Sequence, residues 1–304
     1  MAIPSEGRPL RVLVTGLGGF TGRYVADELK RAGHQVVGLG AGPAGAMARV
    51  DLLDARAVRT AVAAARPDAV VHLAAIAYVA HGDVDAIYRT NIVGTRNLLQ
   101  ALVDLSVPPC CVVLASSANV YGNAGAQDGL LDEGVVPAPA NDYAVSKLAM
   151  EYMARTWIDR LPIVFARPFN YTGVGQHPRF LIPKLVEHFR RGERSIALGN
   201  LDVWREFMDV RTVAWVYRRL LETSGGGDTF NICTGQVHSL REVLAALASI
   251  AGYAIGVEVN PEFVRDNEVR RLGGDPTLLQ RRVGALPDRG LVETLRWMYQ
   301  VYQA

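Results

Sequence analysis

Val12-Leu13-Val14-Thr15-Gly16-Leu17-Gly18-Gly19-Phe20-Thr21-Gly22 is the stretch on which the reading of this chain turns. The apolar run from Leu10 to Thr15 has the length and character of a buried strand. Glycines follow, then a helical pattern through Lys30 and Arg31 that Gly33 stops. Gly16 suits a tight turn, Gly19 lets backbone approach an anion, and Gly22 lets the helix lie close to the strand. Free N–H groups at the start of that helix would face the anion. A glycine triplet alone is common in turns; its place directly after the first strand gives it weight.

Outward from this stretch, strand and helix signals alternate. Gln35–Leu39 reads as a second strand, followed by a Gly/Pro/Ala loop and a short run ending at Asp51. A helix over Asp54–Ala65 precedes a strand over Ala69–Leu73. A longer helix over Val84–Asp104 precedes a buried strand over Cys111–Ser116. A helix over Asp142–Asp159 leads into a strand over Ile163–Arg167. This βαβ rhythm predicts an α/β protein with a Rossmann-like doubly wound parallel sheet, ligands binding beyond the carboxyl ends of its strands. After Arg167 the rhythm loosens into a smaller α/β substrate lobe. Residues 1–170 are expected to form the dinucleotide-binding domain, with later returns to the sheet near 205–232 (at Phe207–Asp209 and Phe230–Ile232). Residues 171–304 are expected to form mainly the substrate lobe.

Composition narrows the class. Of 304 residues half are hydrophobic and one-fifth charged, and the formal net charge is +2. That profile predicts a globular protein with no polyelectrolyte attraction to nucleic acid or membrane. Met1–Pro9 lacks the apolar core of a signal peptide, and no stretch has the roughly 18 uninterrupted apolar residues of a spanning helix. A cytoplasmic location is therefore expected. Cys110, Cys111 and Cys233 form no Cys-x-x-Cys pair, so they read as reduced thiols, without a disulfide scaffold or a metal site.

Lysine is scarce, with only Lys30, Lys147 and Lys184. One of the three stands in Tyr143-Ala144-Val145-Ser146-Lys147, a Tyr-x-x-x-Lys on a predicted helix, where a spacing of four puts both side chains on one face. An ammonium beside a phenol is expected to lower the phenol's pKa and allow proton exchange with a carbonyl or alcohol oxygen. Leu114-Ala115-Ser116-Ser117-Ala118-Asn119-Val120-Tyr121-Gly122 offers two hydroxyls at a strand end. The second strand ends Gly38-Leu39-Gly40-Ala41-Gly42, without the acid that usually holds an adenosine ribose. That gap leaves room for a 2′-phosphate and tilts the reading toward NADP(H), with NAD(H) also accommodated; Arg49 is the nearest arginine in sequence.

Thr15–Gly22, His72-Leu73-Ala74-Ala75, Asn91-Ile92-Val93-Gly94-Thr95, Ser116–Gly122, Tyr143–Lys147 and Arg167-Pro168-Phe169-Asn170 occur in that order. Together they resemble the extended short-chain dehydrogenases/reductases that act on nucleotide sugars. The resemblance implies Ser117, Tyr143 and Lys147 as the catalytic group, Ser117 being preferred to Ser116 for its spacing to Val120-Tyr121-Gly122. It implies cofactor contacts from Gly16, Gly19, Phe20, Thr21, Gly22, Asp51, Leu52, Leu73, Ala74, Ala75, Asn91, Tyr143 and Lys147.

The second half is similar to GDP-mannose dehydratases and their reductase relatives. The matching stretches are Arg167–Gln176, Gly199-Asn200-Leu201-Asp202, Arg205–Val210, and Arg265-Asp266-Asn267-Glu268-Val269 with Gly274-Asp275-Pro276, where Asp266 replaces the usual proline. Arg205 and Arg265 suit bidentate phosphate contacts, Asn170 could donate to a phosphate oxygen, and Glu268 could accept from a ribose. Ser117, Asn170, Arg179, Lys184, Arg205, Arg265 and Glu268 are thus the expected substrate contacts, with Phe180 and Pro183 beside the sugar. In the dehydratases an acid or serine and then a glutamate follow the catalytic hydroxyl; here Ala118 and Asn119 stand there, and the cysteine of the related epimerase/reductases is absent too. The resemblance therefore implies reduction of the 4-keto group of GDP-4-keto-6-deoxy-D-mannose to GDP-6-deoxy-D-mannose (GDP-D-rhamnose). Alternatives are a UDP- or dTDP-sugar 4-epimerase or reductase, or a non-catalytic NADP-sensing protein. From the family, a homodimer through the helices near Val84–Asp104 and Asp142–Asp159 is expected.

Overall fold

Leucine- and valine-rich runs become the strands of one buried parallel sheet, and the polar–apolar segments between them become its covering helices. The computed structural model describes residues 8–40, 47–77, 83–124, 129–261 and 269–301. In chain order the first part runs β1 (Arg11–Thr15), α1 (Phe20–Arg31), β2 (Gln35–Leu39), β3 (Met47–Ala48), α2 (Ala55–Ala65), β4 (Ala69–His72), α3 (Val84–Tyr88), α4 (Thr95–Val103), β5 (Cys111–Ala115), α5 (Asp142–Arg155) and β6 (Ile163–Pro168). Next come β7 (Tyr171–Thr172), α6 (Leu181–Arg190), β8 (Ser195–Leu198), β9 (Trp204–Arg205), β10 (Met208–Asp209), α7 (Val210–Thr223) and β11 (Thr229–Ile232). The chain ends through β12 (His238–Ser239), α8 (Leu240–Ala251), β13 (Gly256–Val259), β14 (Arg271–Leu272), α9 (Thr277–Val283) and α10 (Leu291–Val301).

The main sheet has the order β11-β6-β5-β4-β1-β2-β3, and every pairing in it is parallel. Its winding reverses between β1 and β4, whose last residues, Thr15 and His72, lie in register. A crevice opens beyond the carboxyl ends of strands at such a reversal. Alternate residues divide the strands between two cores. Val12, Val14, Val71 and Val113 pack with Val25 and Leu29 of α1 and Val213, Tyr217 and Leu220 of α7. Leu13, Val70, Val112, Leu114 and Phe165 pack with Val58 and Val62 of α2, Leu98 and Leu102 of α4 and Met150 of α5. Burying a Val, Leu or Phe side chain contributes about 1.5–3 kcal/mol, so this two-sided packing fixes the strand register that the site requires.

Helix starts follow their caps. Asp54 accepts from the Arg56 and Ala57 amides at the head of α2, and Asn141 accepts from Ala144 at the head of α5. The Asn141 cap sets the phase of α5, so that Tyr143, Lys147, Met150, Glu151 and Ala154 are all buried. The helix expected over Val84–Asp104 is interrupted: Arg89–Gly94 is π-helical. Such a bulge adds a residue to the turn and often marks a functional site.

The smaller lobe gathers Ile182, Leu185 and Phe189 of α6, Ile196 of β8, Leu240 and Leu247 of α8 and Leu295 of α10 into a separate core. Two late returns to the sheet were expected. Thr229–Ile232 pairs with β6 at the sheet edge, but Met208–Asp209 pairs with Tyr171–Thr172 in a two-stranded sheet of its own. The 207–209 segment therefore ties the lobe to the end of β6 and does not extend the main sheet.

Candidate active site

Gly16 has φ +70° and is wedged between strands: a Cβ there would lie 2.8 Å from the Ala74 nitrogen. A Cβ on Gly22 would lie 2.3 Å from the Gly16 carbonyl oxygen. The Gly19 amide donates to that same oxygen at 2.9 Å, closing the turn, and Gly19 precedes α1 as a cap residue with no side-chain hydrogen bond to offer. The result is a backbone-lined bay at a helix N-terminus, dimensions that only glycine permits and that fit a dinucleotide pyrophosphate. Gly40, after the second strand, has φ +138°, a conformation hostile to any side chain. The missing ribose-binding acid thus coincides with a position that strongly favours glycine.

Gly16, Gly19, Phe20, Thr21 and Gly22 form one end of a cavity of about 330 Å³. Leu73, Ala75, Ser117, Tyr143, Lys147, Asn170, Arg179 and Phe180 also line it. Among the described residues that line the cavity there is no carboxylate, and Lys147 and Arg179 are its cations.

Tyr143 and Lys147 are both buried, one turn apart on α5. The Lys147 ammonium donates to the Ala115 carbonyl at 2.7 Å, anchoring it at the end of β5. Burial brings its pKa down to about 8, partly offset by Glu151. Tyr143 departs from expectation: burial pushes it up to about 12, and only its hydrogen bond with Ser117 pulls the other way. Desolvation of the phenolate outweighs any help from the lysine, so the buried phenol remains a proton donor at neutral pH. The two serines diverge. Ser116 donates to the buried Glu151 carboxylate at 2.5 Å, whereas Ser117 accepts from the Asn119 amide at 3.2 Å and reaches Tyr143.

A buried polar chain braces this group from below. Ala74 N–H donates to the Thr15 hydroxyl at 3.1 Å, and that hydroxyl meets His72 Nδ1 at 2.6 Å. His72 Nε2 meets the Thr95 hydroxyl at 2.8 Å, and Thr95 donates to the Asn91 carbonyl at 2.7 Å. With Thr95's one proton so used, the histidine must carry its hydrogen on Nε2 and accept at Nδ1. Burial, then Lys147, lower its pKa to about 3, so it is neutral. Asn91 accepts from the Ile76 amide at 2.9 Å and donates to Ser146 at 2.9 Å, linking the π-helical turn to α5.

Other expected site residues lie elsewhere. Asp51 bonds the Leu53 amide at 2.9 Å and is exposed; Leu52 is core, its carbonyl held by Asn97 at 2.8 Å. Ala74 and Asn91 support the bay from behind, and Pro183 is buried within α6. Lys184 donates to the Ala197 carbonyl at 3.2 Å. The Arg205 guanidinium donates to the carbonyls of Trp204 at 2.8 Å and Arg270 at 3.0 Å, and to that of Val269. Neither cation lines the cavity. Arg265 and Glu268 lie outside the described residues. A second cavity of about 210 Å³, lined in part by Thr212, Gln236, His238 and Arg289, brings together none of the expected residues.

Sequence reasoning missed several groups. Tyr171 lines the cavity, stacks on Phe20 with centroids 6.2 Å apart and bonds Thr21 at 2.7 Å. Gln176 and Tyr217 also line it. Glu151, a lone acid on the buried face of α5, pairs with Arg167 at 2.7 Å. Its spacing of four from Lys147 was the available signal.

The model of the NAD dependent epimerase/dehydratase family matches residues 12–233. A GDP-6-deoxy-D-talose 4-dehydrogenase from Aggregatibacter actinomycetemcomitans is 34% identical over 276 residues, 90% of this chain and 92% of that protein. A GDP-6-deoxy-D-mannose reductase from Pseudomonas aeruginosa is 34% identical over 295 residues, 94% and 95% of the two chains. Among solved structures, a protein from Burkholderia cenocepacia J2315 described as a putative epimerase is 55% identical, with a TM-score of 0.90 and 99% of each chain covered. RMD from Pseudomonas aeruginosa, in complex with NADPH, is 33% identical, with a TM-score of 0.85 and coverage of 96% and 98%. The family model's span contains both the glycine bay and the Tyr143–Lys147 helix, and the chain belongs to the NAD dependent epimerase/dehydratase family of extended short-chain dehydrogenases/reductases.

Proposed function

We propose that the protein reduces the 4-keto group of GDP-4-keto-6-deoxy-D-mannose to GDP-6-deoxy-D-mannose, with NADPH preferred and NADH also accepted. The observation that carries this reading is a cavity lined by Ser117, Tyr143 and Lys147, with Ser116 beside them, and by no carboxylate among its described lining residues. Reduction at carbon 4 needs one proton donor and a place for the developing oxyanion, whereas dehydration needs a further base and acid. Ala118 and Asn119 line the wall where such groups would stand, and neither titrates near neutral pH.

Tyr143 donates its proton to the carbon-4 oxygen, and Ser117 donates a hydrogen bond to the same oxygen as charge builds. Lys147, charged below about pH 8, stabilises the phenolate left behind. Gly16, Gly19, Phe20, Thr21 and Gly22 would hold the pyrophosphate of the cofactor, and Lys147 its nicotinamide ribose. When bound, the reduced nicotinamide supplies the hydride. Asn170 and Arg179 take the sugar diphosphate, joined by Arg205 and Arg265, while Glu268 accepts from a ribose. Preference for NADPH is supported by the absence of an acid after Leu39 and by the NADPH-bound structure of the similar P. aeruginosa protein.

The talose relative, equally identical, favours a second reading in which the carbon-4 epimer is the sugar handled. Val84, Val93, Val145 and Tyr152 are exposed on α3, the π-helical turn and α5, and we place a homodimer contact there, checked by light scattering.

The test incubates the protein with GDP-mannose and NADP⁺, alone and then with a GDP-mannose dehydratase and NADPH. No 4-keto sugar should form alone, and NADPH should be consumed in the coupled reaction. NMR of the product assigns carbon 4. Formation of the 4-keto sugar by this protein alone would overturn the reading.

A further inference from the structure

We propose that Glu151 is a positioning residue for the Ser117–Tyr143–Lys147 group: it anchors Ser116 away from Tyr143 and supplies the buried negative charge against which the Lys147 ammonium is held. The inference deepens the proposed function and rests on that reading for its catalytic meaning. Glu151 is almost fully buried one helical turn beyond Lys147. Its Oε1 accepts from the Ser116 hydroxyl at 2.5 Å and from Arg167 Nε at 2.9 Å, and its Oε2 from Arg167 Nη2 at 2.7 Å. Arg167 in turn donates to the Tyr121 hydroxyl at 2.9 Å, and Tyr121 donates to Asn231 at 2.7 Å. The carboxylate is therefore held at once from β6 and from the residue that follows β5, with Tyr121 bracing its arginine partner.

Adjacent residues leaving a strand point to opposite sides. With the Ser116 hydroxyl committed to Glu151, Ser117 is the serine that bonds Tyr143. This resolves the choice between two neighbouring serines by a contact 35 residues away in sequence.

The charges around Lys147 can be named from each side. His72 on β4 is neutral; Ala115 on β5 offers a carbonyl; Tyr143 and Glu151 flank it on α5; Arg167 on β6 and, at 3.8 Å, Arg155 at the end of α5 stand behind Glu151. Burial disfavours the ammonium and Glu151 favours it. Removing the carboxylate's charge should make Lys147 lose its proton at lower pH. Removing the charge of Arg167 should make it keep the proton to higher pH.

Because the chain has three lysines, ε-¹³C-lysine labelling gives three signals, and Lys147 is identified by its loss in Lys147→Arg. The titration is read on the full-length protein without substrate, so it stands whether or not the proposed reaction is correct. In Glu151→Gln the Lys147 midpoint should fall by about one pH unit, and in Arg167→Gln it should rise. Glu151→Asp, which keeps the charge, should stay near the native midpoint and serves if Arg167→Gln does not fold. Where turnover is measurable, the basic limb of kcat/KM should move in the same directions. Midpoints that do not move, that move the same way in the Gln variants, or that fall in Glu151→Asp as in Glu151→Gln would overturn the proposal.

Discussion

The two walls of the cavity are held in different ways. The wall with Ser117, Tyr143 and Lys147 grows directly from strand ends and a capped helix, and buried hydrogen bonds brace it through Asn91, His72 and Glu151. The facing wall, Phe169–Phe180, lies between the sheet and the smaller lobe. It is joined to α1 by the Thr21–Tyr171 hydrogen bond at 2.7 Å and the Tyr24–Val174 bond at 2.8 Å. The proposed function puts the chemistry that needs a fixed oxygen on the braced wall and the contacts that select a ligand on connecting segments. Errors on the first wall should cost rate, and errors on the second should cost affinity.

The largest effect separates the walls most sharply. Tyr143→Phe should lower kcat by about 10²–10⁴-fold while NADPH affinity, read by fluorescence titration, stays near native. A variant with native kcat would break the assignment of the braced wall to chemistry. Next, Arg179→Ala on the facing wall should weaken GDP binding by about 10- to 150-fold, the loss of a charge-assisted hydrogen bond of about 1.5–3 kcal/mol. Lys184→Ala, removing a cation outside the cavity, should leave it nearly unchanged, with Arg205→Ala between the two. Calorimetric titration with GDP orders the three, and a greater loss for Lys184 would reverse the reading of the facing wall.

The pH profile tests the braced wall alone. In the proposed mechanism the protonated form of Lys147 is the active one. Burial, partly offset by Glu151, brings its pKa down to about 8, so that form is present below that point and lost above it. kcat/KM should therefore fall by about tenfold per pH unit above that point, with no matching fall in GDP affinity. A rate that instead rises through pH 9 would contradict the role of the ammonium. The smallest effect concerns the seam between the walls. Tyr171→Phe removes one hydrogen bond worth about 0.5–1.5 kcal/mol and should lower thermal stability slightly, with a few-fold rise in KM and little change in kcat. An aspartate at Gly40, an obvious way to shift cofactor preference, is a poor test, since φ of +138° there makes any side chain strained.

Much of the braced wall was legible before folding. The spacing of Gly16, Gly19 and Gly22, and of Tyr143 and Lys147, is read within one strand–turn–helix or one helix face, where sequence distance translates directly into geometry. Asp51, Leu52, Lys184 and Arg205 were expected at the site from the family resemblance. Asp51 met an amide two residues on, Leu52 joined the core, and Lys184 and Arg205 met carbonyls 13 and 65 residues away. A polar group taken into the fold must find a partner there, and such partners are supplied by tertiary packing.

Periodicity and turn chemistry thus specified the parallel sheet, the glycine bay and the helix carrying the phenol and ammonium, since each is settled by neighbours a few residues apart. The commitment of Ser116 to Glu151, the neutral state of His72, the upward shift of the Tyr143 pKa and the place of Tyr171 came only with packing. Thr15 meets His72 across 57 residues and Thr21 meets Tyr171 across 150. Desolvation and long-range hydrogen bonding act between segments that only the closed sheet brings together, so no local pattern in the chain carries them.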